Sequence, residues 1–403
     1  MTTFTHLECA FCGQRYQPSR SPGACACGGP LFARYDLDLA RASWSRDWIR
    51  NGPVNLWRYA PVLPVRRPSA LVSLGEGMTP LVHLSRLGAR LGASRLWLKQ
   101  EGANPTGSCK ARRMACVVSM ARELGFERLV ISSAGNAAVA LAAYAAVARL
   151  RASVLLPRRA PELSRTECAI FGADVIYGHG DTRVVPRQWE REIASGACRD
   201  AGAWREPYAL EGAKTLGYEL AEQFNWEPPG AVLCPCGSGL GSVALWKAFQ
   251  ELAALGWVAG PAPRLFAVVP EDLPAGDEPT GQREPAAPPR PLLEFDAPAP
   301  GARGLVEKAV QESGGAVIPV PVANLLETGL EMAALEGVLL APEGAACVVA
   351  LQRVFERGLV DPNERLVIVN PAAGWRRMDL YSRRLRPAPG GQAALQGGLI
   401  TPR

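Results

Sequence analysis

Short apolar runs alternate with segments of helical period along most of this chain, and that alternation restricts its fold more than any other feature. RLWLK (95–99), RLVIS (128–132), ASVLL (152–156), DVIY (174–177), AVLCP (231–235) and RLFAVV (264–269) are each four to six residues long. They read as buried strands, because their apolar residues run on instead of alternating with polar ones. Between most of them lie segments of helical period, such as Met114 to Leu124 and Ala137 to Arg149. This predicts an α/β fold with a largely parallel sheet. After a break, helices and strands resume at Leu305 and end with RLVIV (365–369). The break, Pro270 to Gly301, holds nine prolines, which excludes a helix or an inner strand there. It reads as a mobile surface insertion, with a lid near the ligand site as the alternative. The tail after Arg386 is rich in Pro and Gly and is expected to be disordered.

Composition removes several classes of function. At 403 residues and 48% hydrophobic, the chain can build a large core in two or three folding units. The net charge of +6 is mild and spread along the chain, so nothing calls for nucleic acid. The N-terminus lacks a basic start with an apolar run, and the apolar stretch Ala137 to Ala148 is too short to cross a bilayer. A cytoplasmic protein without a membrane partner is expected. Eleven cysteines, an odd number and mostly in apolar contexts, do not suit a secreted disulfide framework. The three histidines, His6, His83 and His179, are not spaced as metal pairs. That argues against a His-based metal catalyst or a Ser-His-Asp hydrolase.

Three segments carry chemistry, each between a strand and a helix. The first, Glu101-Gly-Ala-Asn-Pro-Thr-Gly-Ser-Cys-Lys110, places a lysine at a helix start. There the helix dipole favours the neutral amine, as a Schiff-base lysine requires. Taken alone, such a lysine is most simply a solvated side chain. The second is Ser132-Ser133-Ala134-Gly135-Asn136, whose small residues let backbone N–H groups approach an anion such as a substrate carboxylate. Asn136 is either a helix cap or an amide donor to a cofactor oxygen. The third is Cys236-Gly237-Ser238-Gly239-Leu240-Gly241-Ser242, ahead of the helical stretch Val243 to Leu255. Its glycines suit a phosphate at a helix N-terminus. It has neither the Lys-Ser/Thr pair of a P-loop nor the acidic residue of a dinucleotide site.

In this order the three segments resemble the fold-type-II pyridoxal 5'-phosphate (PLP) enzymes of the tryptophan synthase β-like superfamily, and among them the threonine synthases. The resemblance also rests on Leu74-Gly-Glu-Gly-Met-Thr-Pro-Leu81, Glu211-Gly-Ala-Lys-Thr215, Pro342-Glu-Gly-Ala-Ala346 and Leu56-Trp-Arg-Tyr59. It implies two three-layer α/β domains with largely parallel sheets. The larger, cofactor-binding one would take residues 36–111 and 205–386, with 270–301 inserted, and the smaller substrate domain residues 112–204; 387–403 would be a tail. Lys110 would be the catalytic Schiff-base residue. Asn136 would contact the phenolic oxygen of the cofactor, and Gly237, Ser238, Gly239, Leu240 and Gly241 would hold its phosphate. Asn370 falls where the family places a Ser or Thr against the pyridine nitrogen, although it could simply end its strand before Pro371. Ser133, Ala134, Gly135 and Ala137 would bind the substrate carboxylate, and Thr106, Ser108 and Arg112 would be further substrate-binding residues. The implied partners are a small amino-acid substrate and a second copy in a homodimer.

Some residues depart from the family pattern. Phe-Lys-Asp-Arg-Gly reads Cys109-Lys110-Ala111-Arg112-Arg113, hydroxyl residues after the second segment are replaced by Ala137-Ala138, and Gly-Leu-Lys-Asp reads Gly374-Trp375-Arg376-Arg377. Arg112 and Arg113 offer either an alternative anion site or a solvated helix face. The resemblance implies elimination or replacement on an amino acid, with O-phosphohomoserine and water giving threonine and phosphate. A related PLP lyase or β/γ-replacement enzyme with another substrate is one alternative, and a non-catalytic binding homologue is another. Residues 1–35 form a separate Cys-rich segment. Cys9-x-x-Cys12 and Cys25-x-Cys27 offer four thiolates to a structural zinc in a zinc-ribbon-like head.

Overall fold

The computed structural model describes residues 2–18, 23–133, 135–178, 185–271 and 300–385. Most of the Pro-rich stretch, the tail 387–403 and Ala134 lie outside the described residues. In chain order the elements are β1 (Phe4–Cys9), β2 (Arg15–Tyr16), β3 (Leu31–Tyr35), α1 (Leu37–Ser43), α2 (Arg46–Arg50), β4 (Leu81–His83), α3 (Ser85–Leu91), β5 (Leu96–Gln100) and α4 (Lys110–Leu124). Next come β6 (Arg128–Ser132), α5 (Asn136–Ala148), β7 (Arg151–Pro157), α6 (Glu162–Ile170), β8 (Asp174–Gly178), α7 (Arg187–Ala194), β9 (Arg199–Asp200) and α8 (Tyr208–Gln223). The chain continues through β10 (Ala231–Pro235), α9 (Leu240–Ala254), β11 (Arg264–Pro270), α10 (Pro300–Glu312), β12 (Ala316–Val320), α11 (Leu325–Glu336), α12 (Pro342–Glu356), β13 (Leu366–Asn370) and α13 (Met378–Leu385).

These strands form three sheets. The first is antiparallel, of order β2-β1-β3, and makes the N-terminal head. The second has the order β12-β11-β10-β13-β5-β4 and is parallel except for its edge strand β4. The third, β8-β7-β6-β9, is parallel throughout. Every apolar run picked out in the sequence is a strand, with ends within one residue of those expected. The register shows why these runs are strands: Leu98, Ile368, Leu233 and Phe266 lie side by side across β5, β13, β10 and β11 and are buried. Each contributes about 1.5–3 kcal/mol by leaving water.

Helices cover the sheets because their apolar residues have nowhere else to go. α5 is apolar almost all round, and Ala138 to Ala145 are buried between α4 and β7. The head is joined to the body through a buried charge cluster. Lys214 and Glu211 of α8 meet Lys247 and Glu251 of α9, and the Tyr35 hydroxyl at the end of β3 donates to Glu211 Oε2 at 2.8 Å. Lys214 Nζ also lies 4.0 Å from the centre of the Tyr35 ring. Two cations and two carboxylates balance, which is what makes their burial tolerable. This cluster accounts for the charged residues of Glu211-Gly-Ala-Lys-Thr215.

Candidate active site

The segments singled out in the sequence converge at the carboxyl ends of β5, β13, β10 and β6. The turn after β5 is zipped to the end of β13: Cys109 N–H donates to Pro371 O at 2.8 Å, and Ser108 bridges to Ala372. β13 pairs with β10, so Lys110 is brought beside the end of β10 and the glycine loop that follows it. Cys234 of β10 is close enough for Lys110 and Cys109 to act on it electrostatically, while burial pushes its thiol well up. Lys110 is the first residue of α4 and is half-buried. Its Nζ lies 3.7 Å from Cys109 Sγ, and its N–H donates to Ser108 Oγ at 3.4 Å.

Three helices, α4, α5 and α9, begin here. None has a capping side chain on its N-cap residue, these being Cys109, Gly135 and Gly239. Uncapped helix starts leave N–H groups and positive dipole ends open to anions. Gly239 sits at φ +79°, a conformation that favours glycine and turns the loop into α9. Ser238 O accepts from Trp204 Nε1 at 2.6 Å, which steadies that loop from outside. On the β6 side, Ser133 N–H donates to Leu155 O at 3.1 Å and Ser133 Oγ accepts from Gly135 N–H at 3.3 Å. Ala137 lies half-buried in the first turn of α5.

The residues present fit a bound PLP. Thr106 Oγ1, in the turn before Lys110, and Ser132 Oγ, at the end of β6, are buried without a protein hydrogen-bond partner. Buried hydroxyls are normally paired, so two orphans beside the starts of α4, α5 and α9 mark a place built for a polar ligand. Asn136 does not serve as a cap. It is the first residue of α5, and its Oδ1 accepts from Arg376 Nε.

One expectation needs correction, and for Asn370 the structure shows the strand-ending role that the sequence left open beside a cofactor contact. Arg112 does not face a substrate. It is 1% exposed and lies in a network in which its Nε and Nη2 donate to Glu101 at 2.7 Å and its Nη1 to Glu219 at 2.7 Å. Lys99 donates to Glu219 from the other side, and Thr79 Oγ1 donates to Glu101 Oε1 at 2.6 Å. The helical phase of residue 112 turns it away from the face that carries Lys110. Asn370 is fully buried, and both ends of its amide are engaged. Its Oδ1 accepts from Ala341 N–H at 3.0 Å, and its Nδ2 donates to Gln100 Oε1 across the β13–β5 register. It ties the start of α12 to the sheet, the strand-ending role open to it in the sequence.

Sequence reasoning missed Glu76, Tyr144 and Glu167. Glu76 is fully buried, accepts from the Tyr144 hydroxyl at 2.6 Å, and is pushed up by burial. Glu167 of α6 accepts from Arg376 at 2.6 and 3.1 Å. A signal existed for the first: Glu76 lies between two glycines in a segment with no other charge.

The head holds its four thiols together. Sγ atoms of Cys9, Cys12, Cys25 and Cys27 all lie within 4.8 Å of one another. The hydroxyl of Tyr16 donates to Cys25 Sγ at 3.1 Å and, with the Cys27 N–H, brings that thiol down to about 6.

Comparison with known proteins agrees with this geometry. Residues 72–372 match the family model described as pyridoxal-phosphate dependent enzyme. Threonine synthase of Methanocaldococcus jannaschii is 31% identical over 387 residues, covering 93% of this chain and 94% of that one. Threonine synthase of Methanosarcina acetivorans is 30% identical, with 90% of each chain covered. Among solved structures, O-ureido-L-serine synthase aligns with a TM-score of 0.59 at 20% identity, covering 75% of this chain and 91% of that one, and this likeness supports the fold alone. These relatives favour the threonine synthase-like reading over a replacement enzyme or a silent homologue. The chain belongs to the pyridoxal-phosphate-dependent enzymes, as a threonine synthase-like lyase.

Proposed function

We propose that the enzyme converts O-phosphohomoserine and water into threonine and phosphate. The observation that carries this is the meeting of three uncapped helix starts around one lysine, in a chain whose relatives over more than nine-tenths of its length include a threonine synthase. When bound, the cofactor holds the substrate amino group and withdraws electrons from Cα. The loop Gly237 to Gly241 holds the cofactor phosphate through N–H groups at the start of α9. The start of α5, Ser133 to Ala137, takes the substrate carboxylate, and its dipole opposes loss of that charge. Lys110, the residue that would hold the cofactor, would remove and return protons at the substrate carbons within its reach. Cys234 and Cys236 are buried in the wall on the glycine-loop side of the site.

The family resemblance further supports a cytoplasmic homodimer, a Cys-rich head over residues 1–35, and a division into a cofactor-binding and a smaller substrate domain. The four head thiols, with their Sγ atoms within 4.8 Å of one another, offer the soft donors that a structural zinc takes. Simultaneous release of phosphate and threonine from PLP-loaded protein tests the main proposal. Wild type yields both and Lys110→Ala yields neither. Loaded wild type that consumes no O-phosphohomoserine refutes it.

A further inference from the structure

Arg376 stands where the family pattern has a lysine, and its surroundings give that change a purpose. Arg376 is 3% exposed, and its guanidinium uses four of its five N–H groups on the protein. Nη1 donates to Thr106 O at 3.0 Å and to Glu167 Oε1 at 3.1 Å, Nη2 donates to Glu167 Oε2 at 2.6 Å, and Nε donates to Asn136 Oδ1. These partners belong to three elements: the turn that delivers Lys110, the start of α5, and α6. Gly107 makes this approach possible, since a Cβ there would come within 2.9 Å of Trp375 and 3.1 Å of Arg376 Cδ.

The consequence for Asn136 follows from donor and acceptor chemistry. A guanidinium only donates, so the amide atom facing it must be the oxygen. The Asn136 amide therefore cannot turn over, and its NH2 group is committed to the other side. A cation on the carbonyl also polarises the amide and strengthens its N–H donors. Glu167 balances the charge and fixes the guanidinium by a two-pronged contact. With its donors engaged in this way, Arg376 is poorly placed to hold a substrate phosphate.

We propose that Arg376, fixed by Glu167, is a positioning residue that presents the NH2 group of Asn136 to the phenolic oxygen of the cofactor. This rests on the reading of Asn136 as a cofactor contact. The test is a double-mutant cycle on cofactor-free protein titrated with PLP, using Asn136→Ala, Arg376→Ala and both together. Dissociation constants and the pH dependence of the Lys110–cofactor absorbance band are recorded, with melting temperatures alongside. Each single variant is expected to bind PLP about ten-fold more weakly, the loss of one charge-assisted hydrogen bond. Both should shift the pH midpoint of the band in the same direction, and the double variant should be no worse than either single. Glu167→Gln should give the same spectral change at smaller amplitude, and Arg376→Lys should restore part of it; these two carry the test if Arg376→Ala does not fold. Additive effects, or a lower melting temperature with an unchanged band, overturn the role of Arg376 and leave Asn136 standing. An Asn136→Ala protein with normal affinity and band removes the Asn136 assignment and the proposal with it.

Discussion

Replacing Arg112 with methionine distinguishes a structural arginine from a substrate-binding one. Lys99 and Arg112 face Glu101 and Glu219 in a network whose four side chains are at most 1% exposed. The charges balance as they stand. Methionine keeps much of the volume but leaves two buried carboxylates sharing one ammonium. Breaking a buried pair from one side costs about 3–5 kcal/mol, which lowers the melting temperature by on the order of 10 °C. The assay is thermal and urea unfolding of cofactor-saturated wild type and variant, with KM measured on whatever activity survives. The pH dependence gives a second readout. Burial alone would raise Glu219, but Arg112 and Lys99 outweigh it and bring the carboxyl down to about 2. A folded value below the ordinary one of about 4.3 means the stabilisation is complete above that pH and is lost as pH falls toward 2. The gap between wild type and Arg112→Met should therefore be constant above about pH 5 and narrow below pH 4. An unchanged melting temperature with a KM raised ten-fold or more would refute the structural role and return Arg112 to the substrate.

Two further perturbations test the packing between elements, and one tests the head. Gly212→Ala places a Cβ 2.1 Å from the Arg112 carbonyl oxygen, where α8 crosses α4; urea unfolding should show a loss of about 1–3 kcal/mol from overpacking. Tyr35→Phe removes the hydroxyl that donates to Glu211, whose Oε1 already has no partner, and should cost about 1–3 kcal/mol in the same assay. Purified protein should release one equivalent of zinc per chain when its thiols are titrated with a mercurial, and Cys9→Ser should lower that content. Metal-free protein with an intact head would remove the zinc assignment.

The architecture was legible because burial leaves a simple trace. AVLCP, and the LVIV that follows Arg365, are apolar throughout, the pattern of a strand covered on both faces. β12 and the two-residue β9 were missed for other reasons. β12 alternates between half-exposed and buried residues around Pro319, and β9, Arg199–Asp200, consists of two charged residues. β12 is apolar in sequence, but Pro319 argues against an inner strand, and it is in fact the edge strand of its sheet; β9 carries no apolar run and is a strand by tertiary pairing alone. The glycine loop, Lys110 and Asn136 could be placed because each follows a recognisable strand and opens a helix, and position along the chain then fixes position in space.

The buried charges followed different logic. Lys99 lies in an apolar strand and Glu219 in an apolar helix, 120 residues apart, and nothing local says that each is the partner the other needs. Arg112, two residues from Lys110, was assigned to the site by proximity in sequence. Along a helix, though, neighbours two apart point to different sides, so the residue most tempting to read as a ligand was directed into the core. Arg376 shows the converse. It lies 266 positions from Lys110, yet it touches both the turn before that lysine and the first residue of α5. An unpaired arginine could not remain where it is, 3% exposed. Glu167 is therefore as much a condition of the site as Arg376 itself, although it lies on a helix that no sequence motif marks.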